Sequence, residues 1–278
     1  VAVSTAAFDG HPWEAALDAL VALGVWRVEP AFIKGYVDFT EDDFSEAAAA
    51  RLSAMLAKRG LGVQGVSAHM ELSSDEAEAM LARRIDFCAA LGSRILITNA
   101  GPARGCQVIL RRLDAVLPRL EEAGVVLALE NPGHGTGDLI GRGEEGAGLI
   151  ETLGSPWIRL NLDIGNLVTY AGGMEPGLSA ALPFAAHAHL KDVADDGPHW
   201  RFCPLGEGLL DWPRAAQAIR SLAPDLPVAI ELPLRLRRPN RADPVRAADP
   251  LPLPVITEAV RRSLDAWTRA AGAYWPVR

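Results

Sequence analysis

The chain is poor in the features that mark several large protein classes. It has three cysteines in 278 residues, Cys88, Cys106 and Cys203. Their wide spacing and odd number exclude a disulfide framework and point to a reducing compartment. Basic residues are in deficit, with 27 Lys and Arg against 35 Asp and Glu and a formal net charge of −8. That balance argues against nucleic acid as a partner, because phosphate backbones need a basic footprint. No uncharged apolar run is long enough to cross a bilayer, and no basic leader precedes an apolar stretch at the start. A soluble, cytoplasmic protein without membrane contact is therefore expected. No Gly-x-Gly-x-x-Gly follows the first apolar run, which counts against a dinucleotide-binding open sheet. No composition shift or linker divides the chain, and no sequence self-similarity suggests a solenoid.

What is present is a large apolar fraction, 49% of residues, cut into short runs by glycine and proline. Strand-like runs alternate with helical ones. Val1 to Ser4, Val25 to Glu29, Leu61 to His69, Arg94 to Thr98, Val125 to Glu130, Ile158 to Asp163, Phe184 to Asp192 and Pro227 to Glu231 read as strands. The helices between them include one opened by Ser73-Ser74, one over Gln107 to Glu122 that Pro118 should kink or shorten, and a last one from about Pro254 to Ala271. The eight units average roughly 34 residues, close to the βα period of an eight-stranded barrel. The predicted fold is a single (β/α)₈ TIM-barrel domain over residues 1–278.

The stretch Phe184-Ala-Ala-His-Ala-His-Leu-Lys-Asp192 organises the rest. Strand side chains alternate between faces, so His187, His189 and Lys191 share one face and Ala188 and Leu190 the other. Three more runs end in an acid, at Glu130, Asp163 and Glu231. Counting back by twos from Asp163 puts Asn161 and Arg159 inward and leaves Leu160 and Leu162 facing helices. Glu29 and His69 also end strands, and strand C-termini form the active face of a barrel. Carboxylates converging there repel one another unless a cation or a proton is shared. Three carboxylates and an imidazole suit one divalent ion, Mn²⁺, Mg²⁺, Co²⁺ or Zn²⁺.

These pieces, in this order, resemble the xylose-isomerase-like barrels, and within them the sugar phosphate isomerase/epimerase family. The matching stretches are Leu129-Glu130-Asn131, Leu162-Asp163-Ile-Gly165-Asn166, His187-Ala-His189-Leu-Lys191-Asp192, Pro204-Leu-Gly206-Glu207-Gly208 with Asp211-Trp212, and Ile230-Glu231. The resemblance implies Glu130, Asp163, His189 and Glu231 as metal ligands. It also implies Glu130 and Glu231 as acid/base groups on opposite faces of a ketose. Where the family often carries a histidine after Asp-x-Gly, this chain has Asn166, which can donate a hydrogen bond but takes no proton at neutral pH.

The expected function is isomerisation or epimerisation of a small sugar or polyol by proton transfer through an enediolate. A lyase that dehydrates a cyclic keto-polyol, of the inosose or dehydroshikimate type, is the alternative. An abasic-site endonuclease and a non-catalytic subunit rank below both. His69, Asn166, Lys191 and Glu29 are the expected substrate contacts, His187 a hydrogen-bonded core residue, and His134 a loop residue equally suited to solvent or ligand. Phe8, Trp13, Phe32, Tyr36, Trp200 and Phe202 are available as pocket walls. The arginines of the Leu234 to Pro254 segment, Arg235, Arg237, Arg238, Arg241 and Arg246, are expected in a solvated excursion without phosphate selectivity. A homo-oligomer is compatible with all of this.

Overall fold

The computed structural model describes residues 1–132, 137–169 and 173–272. The strands are β1 (Ala2–Ser4), β2 (Arg27–Glu29), β3 (Ala31–Phe32), β4 (Gly62–Val63), β5 (Val66–Ala68), β6 (Ile95–Asn99), β7 (Val126–Glu130), β8 (Ile158–Asp163), β9 (Ala185–Leu190), β10 (Asp192–Asp196), β11 (His199–Cys203), β12 (Val228–Ile230), β13 (Leu236–Arg238) and β14 (Val245–Arg246). The helices are α1 (Trp13–Ala22), α2 (Glu46–Ala57), α3 (Ala77–Ala90), α4 (Cys106–Ala123), α5 (Gly143–Leu153), α6 (Ile164–Thr169), α7 (Gly177–Ala181), α8 (Trp212–Leu222) and α9 (Leu253–Ala271). Among the described residues no helix is long and apolar enough to cross a membrane.

Ten parallel strands run in the order β3-β5-β6-β7-β8-β9-β12-β1-β2-β4. They amount to eight barrel strands. β2 and β3 are one strand interrupted at Pro30, which has no N–H to give a ladder. β4 and β5 are one strand interrupted at Gln64-Gly65. β2 pairs with β4 and β3 with β5, so the two ends of the sheet meet and the barrel closes. The Gln64 N–H donates to the Val28 carbonyl at 3.0 Å and the Ser67 N–H to the Pro30 carbonyl at 2.9 Å across the interruption. The (β/α)₈ barrel read from the sequence is the fold observed.

Helices cover the outside of the barrel as the apolar periodicity requires. On α9, Ile256, Val260, Leu264, Trp267 and Ala271 recur at three- and four-residue steps and are all buried. Burying each large side chain contributes about 1.5–3 kcal/mol, which seats the last helix although it follows a long irregular segment. Two helix expectations need correction. α4 runs unbroken through Pro118. Pro118 and Asp114 are both on the exposed side of that helix, so water can satisfy the carbonyl that the proline leaves unbonded. The Ser73-Ser74 pair does not cap α3, which begins at Ala77 without a side-chain cap. Ser73 bonds to Glu71 instead.

The largest departure lies above the barrel mouth. A second, antiparallel sheet runs β10-β11-β13-β14. β10 and β11 form a hairpin in which Asp196 faces His199, with Gly197 at φ +61° in the two-residue turn between them. β13 and β14 fall inside the Pro/Arg-rich segment expected to be a solvated excursion.

Candidate metal centre

β7, β8, β9 and β12 deliver Glu130, Asp163, His189 and Glu231 to one point. Each of the four offers one ligand atom, and these atoms lie within 4.8 Å of one another. His189 Nδ1 is 3.0 Å from Glu130 Oε2, 3.8 Å from Glu231 Oε2 and 4.0 Å from Asp163 Oδ2. All four residues are buried. The convergence follows from register: Asn161 sits opposite His187 and Asp163 opposite His189 across the β8–β9 ladder. Inward side chains two residues apart therefore form layers, with the acids and His189 in the upper one.

The layer beneath fixes the one above. Asn161 Nδ2 donates to Glu130 Oε2 at 2.6 Å, and Asn161 Oδ1 lies 2.8 Å from His187 Nδ1. Since that oxygen only accepts, His187 donates from Nδ1. His187 is the core histidine expected; burial pushes its pKa down to about 4. Its other nitrogen is 3.4 Å from Gln64 Nε2.

Glu29 was expected to touch substrate. The structure places it fully buried behind His189, outside the lining of the main cavity, with its carboxylate 3.0 and 3.2 Å from His189 Nε2. A carboxylate only accepts, so Nε2 carries the proton and Nδ1 is turned to the acids. Burial works against charge on His189, but Glu29, Glu231 and Glu130 overcome it and raise its pKa well above the ordinary value. Burial likewise opposes the Glu130 charge, and His189, His69 and Lys191 outweigh it, holding this carboxyl well below the usual range. Asp163 goes the other way. Burial, with the Glu130 and Glu231 charges added, pushes it up to about 7 despite Lys191.

Lys191 is buried and reaches between two of the acids, contacting Asp163 Oδ2 and donating to Glu231 Oε2 at 2.7 Å. Burial opposes its charge, yet Asp163 and Glu231 hold its pKa well above that of a free lysine. It lies beneath the cavity lining rather than in it. Gly165 lets α6 pack against the Lys191 backbone: a Cβ there would stand 2.4 Å from the Lys191 carbonyl oxygen. Glu231 Oε1 remains buried without a hydrogen bond, and Asp163 Oδ2 has no hydrogen bond besides its ion pair with Lys191. An unpartnered carboxylate oxygen in a cluster of three acids and one imidazole fits a divalent cation.

Above the cluster opens a cavity of about 950 Å³. Glu130 and Glu231 reach its lining, with His69, Asn166, Tyr36 and Arg238. His69 Nε2 is 3.0 Å from Ser67 Oγ and 3.6 Å from Glu130 Oε2, and burial lowers its pKa. Asn166 donates from Nδ2 to the Asn131 carbonyl at 2.9 Å, while its backbone N–H donates to Asp163 Oδ1 at 2.9 Å. Of the aromatic candidates Tyr36 lines this cavity. Phe8, Trp13 and Phe32 border a separate one of about 200 Å³. His134 falls outside the described residues.

Asp192, at the end of the same stretch, is fully buried and gathers loop donors. Its carboxylate accepts from the N–H groups of Val193 (2.9 Å), Gly206 (2.8 Å) and Gly208 (3.3 Å) and from the Trp212 indole (2.8 Å). A Cβ on Gly208 would meet Asp192 Oδ1 at 2.1 Å. The Gly206-Glu207-Gly208 turn and Trp212 thus serve one buried acid. Strand alternation carried the signal, since Asp192 must face away from His189 and Lys191.

A family model described as "Xylose isomerase-like TIM barrel" matches residues 17–249. Among solved structures, a D-psicose 3-epimerase from Clostridium cellulolyticum H10, crystallised with D-tagatose, superposes with a TM-score of 0.76 at 14% identity, covering 97% of this chain and 98% of that one. A xylose isomerase-like TIM barrel protein from Mycobacterium smegmatis, in complex with magnesium, gives 0.71 at 18% identity over 98% and 97%. A probable 3-DHS dehydratase from Bacillus anthracis gives 0.63 at 15% identity over 83% and 91%. Among curated proteins, no sequence matches this chain.

Proposed function

Because this chain belongs to the xylose isomerase-like TIM barrel family, we propose that it is a divalent-metal-dependent isomerase or epimerase of a ketose or related polyol. The observation that carries this is the convergence of Glu130, Asp163, His189 and Glu231 at the floor of a cavity that Glu130 and Glu231 also line. Glu130, Asp163, His189 and Glu231 would hold a divalent ion, which would supply positive charge to polarise a substrate carbonyl. The structure in complex with magnesium supports that choice of cofactor class.

The protein's own groups do the rest. His189, its Nε2 proton held by Glu29, keeps Nδ1 turned toward the three acids. Asn161 fixes the Glu130 carboxylate from below. Lys191 offsets part of the charge of Asp163 and Glu231 and fixes the Glu231 oxygen it bonds. One of Glu130 and Glu231 takes the proton beside the carbonyl, leaving an enediolate, and the other returns a proton to complete the isomerisation. His69 and Asn166 offer hydrogen-bonding groups on the cavity wall for substrate hydroxyls.

The same first step followed by loss of a hydroxide gives the dehydration of a cyclic keto-polyol. The dehydratase among the structural neighbours favours this second reading. The test is turnover of D-psicose, D-fructose, an inosose and 3-dehydroshikimate in D₂O with Mg²⁺ or Mn²⁺. Deuterium should enter the carbon beside the carbonyl. Glu130→Gln and Glu231→Gln should each slow exchange about 10²–10⁴-fold at matched metal occupancy. Turnover in which a substrate deuterium passes wholly to the neighbouring carbon would instead mean a hydride shift.

A further inference from the structure

The antiparallel sheet brings one guanidinium into the cavity wall with no acid beside it. Arg238 ends β13, is 3% exposed and lines the main cavity with Tyr36, Asn166 and Glu231. Its Nε donates to the Ala242 carbonyl at 2.9 Å and its Nη1 to Thr169 Oγ1 at 3.4 Å, and the Trp200 ring lies 5.5 Å from Cζ. Among the described residues no carboxylate oxygen comes within 4.0 Å of it. The neighbouring arginines differ. Arg235 and Arg246 are paired with Asp9, Arg241 is paired with Asp195, and Arg237 is exposed.

A buried cation without a counter-ion is costly, and proteins supply one by pairing or take one from a ligand. Burial lowers the Arg238 pKa, opposed by Tyr36, Asp243 and Asp163, none of which is bonded to it. A guanidinium has five N–H donors in a planar fork. Two are used here, which leaves Nη2 without a protein partner among the described residues.

We propose that Arg238 anchors an oxyanion, a carboxylate or a phosphate, carried by the polyol, so that this chain takes an acidic rather than a neutral substrate. The proposal rests on the cavity being the substrate site, as argued above. Arginine suits the task because its fork matches carboxylate and phosphate oxygens in pairs. The expectation that the arginines of this segment stay in solvent then holds for Arg237 but not for Arg238.

Calorimetric titration of the Mg²⁺-loaded protein tests this. The probes are D-fructose, D-fructose 6-phosphate, an inosose and 3-dehydroshikimate, so that each anion has a neutral counterpart. One anionic probe should bind at least about tenfold more tightly than its counterpart, and which one does so distinguishes phosphate from carboxylate. Arg238→Gln should remove that advantage and affect the neutral probes far less, with Arg238→Lys retaining part of it. Thermal melts of the variants check that the fold is intact. Neutral probes binding as well as both anions would overturn the proposal, as would no binding by either anion or an advantage that survives in Arg238→Gln. The deuterium-exchange assay judges the isomerase reading separately. An Arg238-dependent anion advantage without exchange on any ketose would keep the anchor and discard that reading.

Discussion

The barrel sheet and the small antiparallel sheet meet at one mouth and use their charged residues differently. Strands β7, β8 and β12 each bring an acid to their C-terminal end, and all three acids are buried at one point. On β11, β13 and β14, by contrast, Arg201 and Arg237 are exposed, Arg246 pairs with Asp9 and Asp38, and Arg238 turns to the cavity. In a barrel whose outer face is covered by helices, alternation alone decides where an acid points. In a small sheet with one open side, each arginine's fate depends on which partner lies opposite. The first sheet makes a site by geometry, and the second adjusts that site by contact.

The sharpest way to break this division is at Asp192, where the two sheets join. Asp192→Ala strands several buried N–H donors, each costing about 1–3 kcal/mol, so a loss of about 3–5 kcal/mol in denaturant unfolding is expected. Asp192→Asn should lose less, because one acceptor oxygen remains. A cost near zero for the alanine variant would mean that water replaces the carboxylate and that the join is not held by it.

A smaller effect is expected one layer below the acids. Glu29→Gln keeps the size of the side chain but can hold His189 Nε2 in either role, so the ring loses its fixed tautomer. Such partners of ligating histidines are worth about 10–100-fold in metal affinity. Equilibrium dialysis with Zn²⁺ measures this without reference to activity. Unchanged affinity would show that the ladder alone positions His189.

The smallest effect belongs to the outer sheet. Arg241 pairs with Asp195 at 3.0 Å with both side chains about half exposed, 49% and 50%. Arg241→Ala should cost about 0–1 kcal/mol of stability, since exposed pairs are screened by water. A loss as large as that of Asp192→Ala would erase the contrast between the sheets.

The same contrast explains what the sequence made legible. Val125 to Glu130 is apolar on both faces, Ile158 to Asp163 is apolar on its outer face, and both end in an acid, so barrel, strand ends and inward residues could all be read from residue type and spacing. The interruptions at Pro30 and Gly65 left two barrel strands as short pieces, and period-2 patterning is weak over two or three residues. Asp192 to Cys203 mixes charge and aromatics without apolar alternation, although Asp196-Gly197 does carry a hairpin signal. Arg238 could not be told from Arg237 by sequence, because pairing of β13 with β11 and β14 decides which of them faces inward. Glu29 and Lys191 were found as inward residues, but only the assembled barrel shows that one stands behind His189 and the other between two acids.

Lys191 gives the barrel a resident cation. Its ammonium reaches Asp163 and Glu231, two of the acids that would otherwise have to be brought together against their own repulsion. In small zinc domains the ion must arrive before the chain can fold, so biosynthesis is tied to metal supply. A barrel with a built-in counter-ion is released from that order of events. With the site proposed above, such a barrel would fold without its ion and take it up afterwards. With the metal dependence proposed above, metal supply would set how much of the folded protein is active, not how much of it folds.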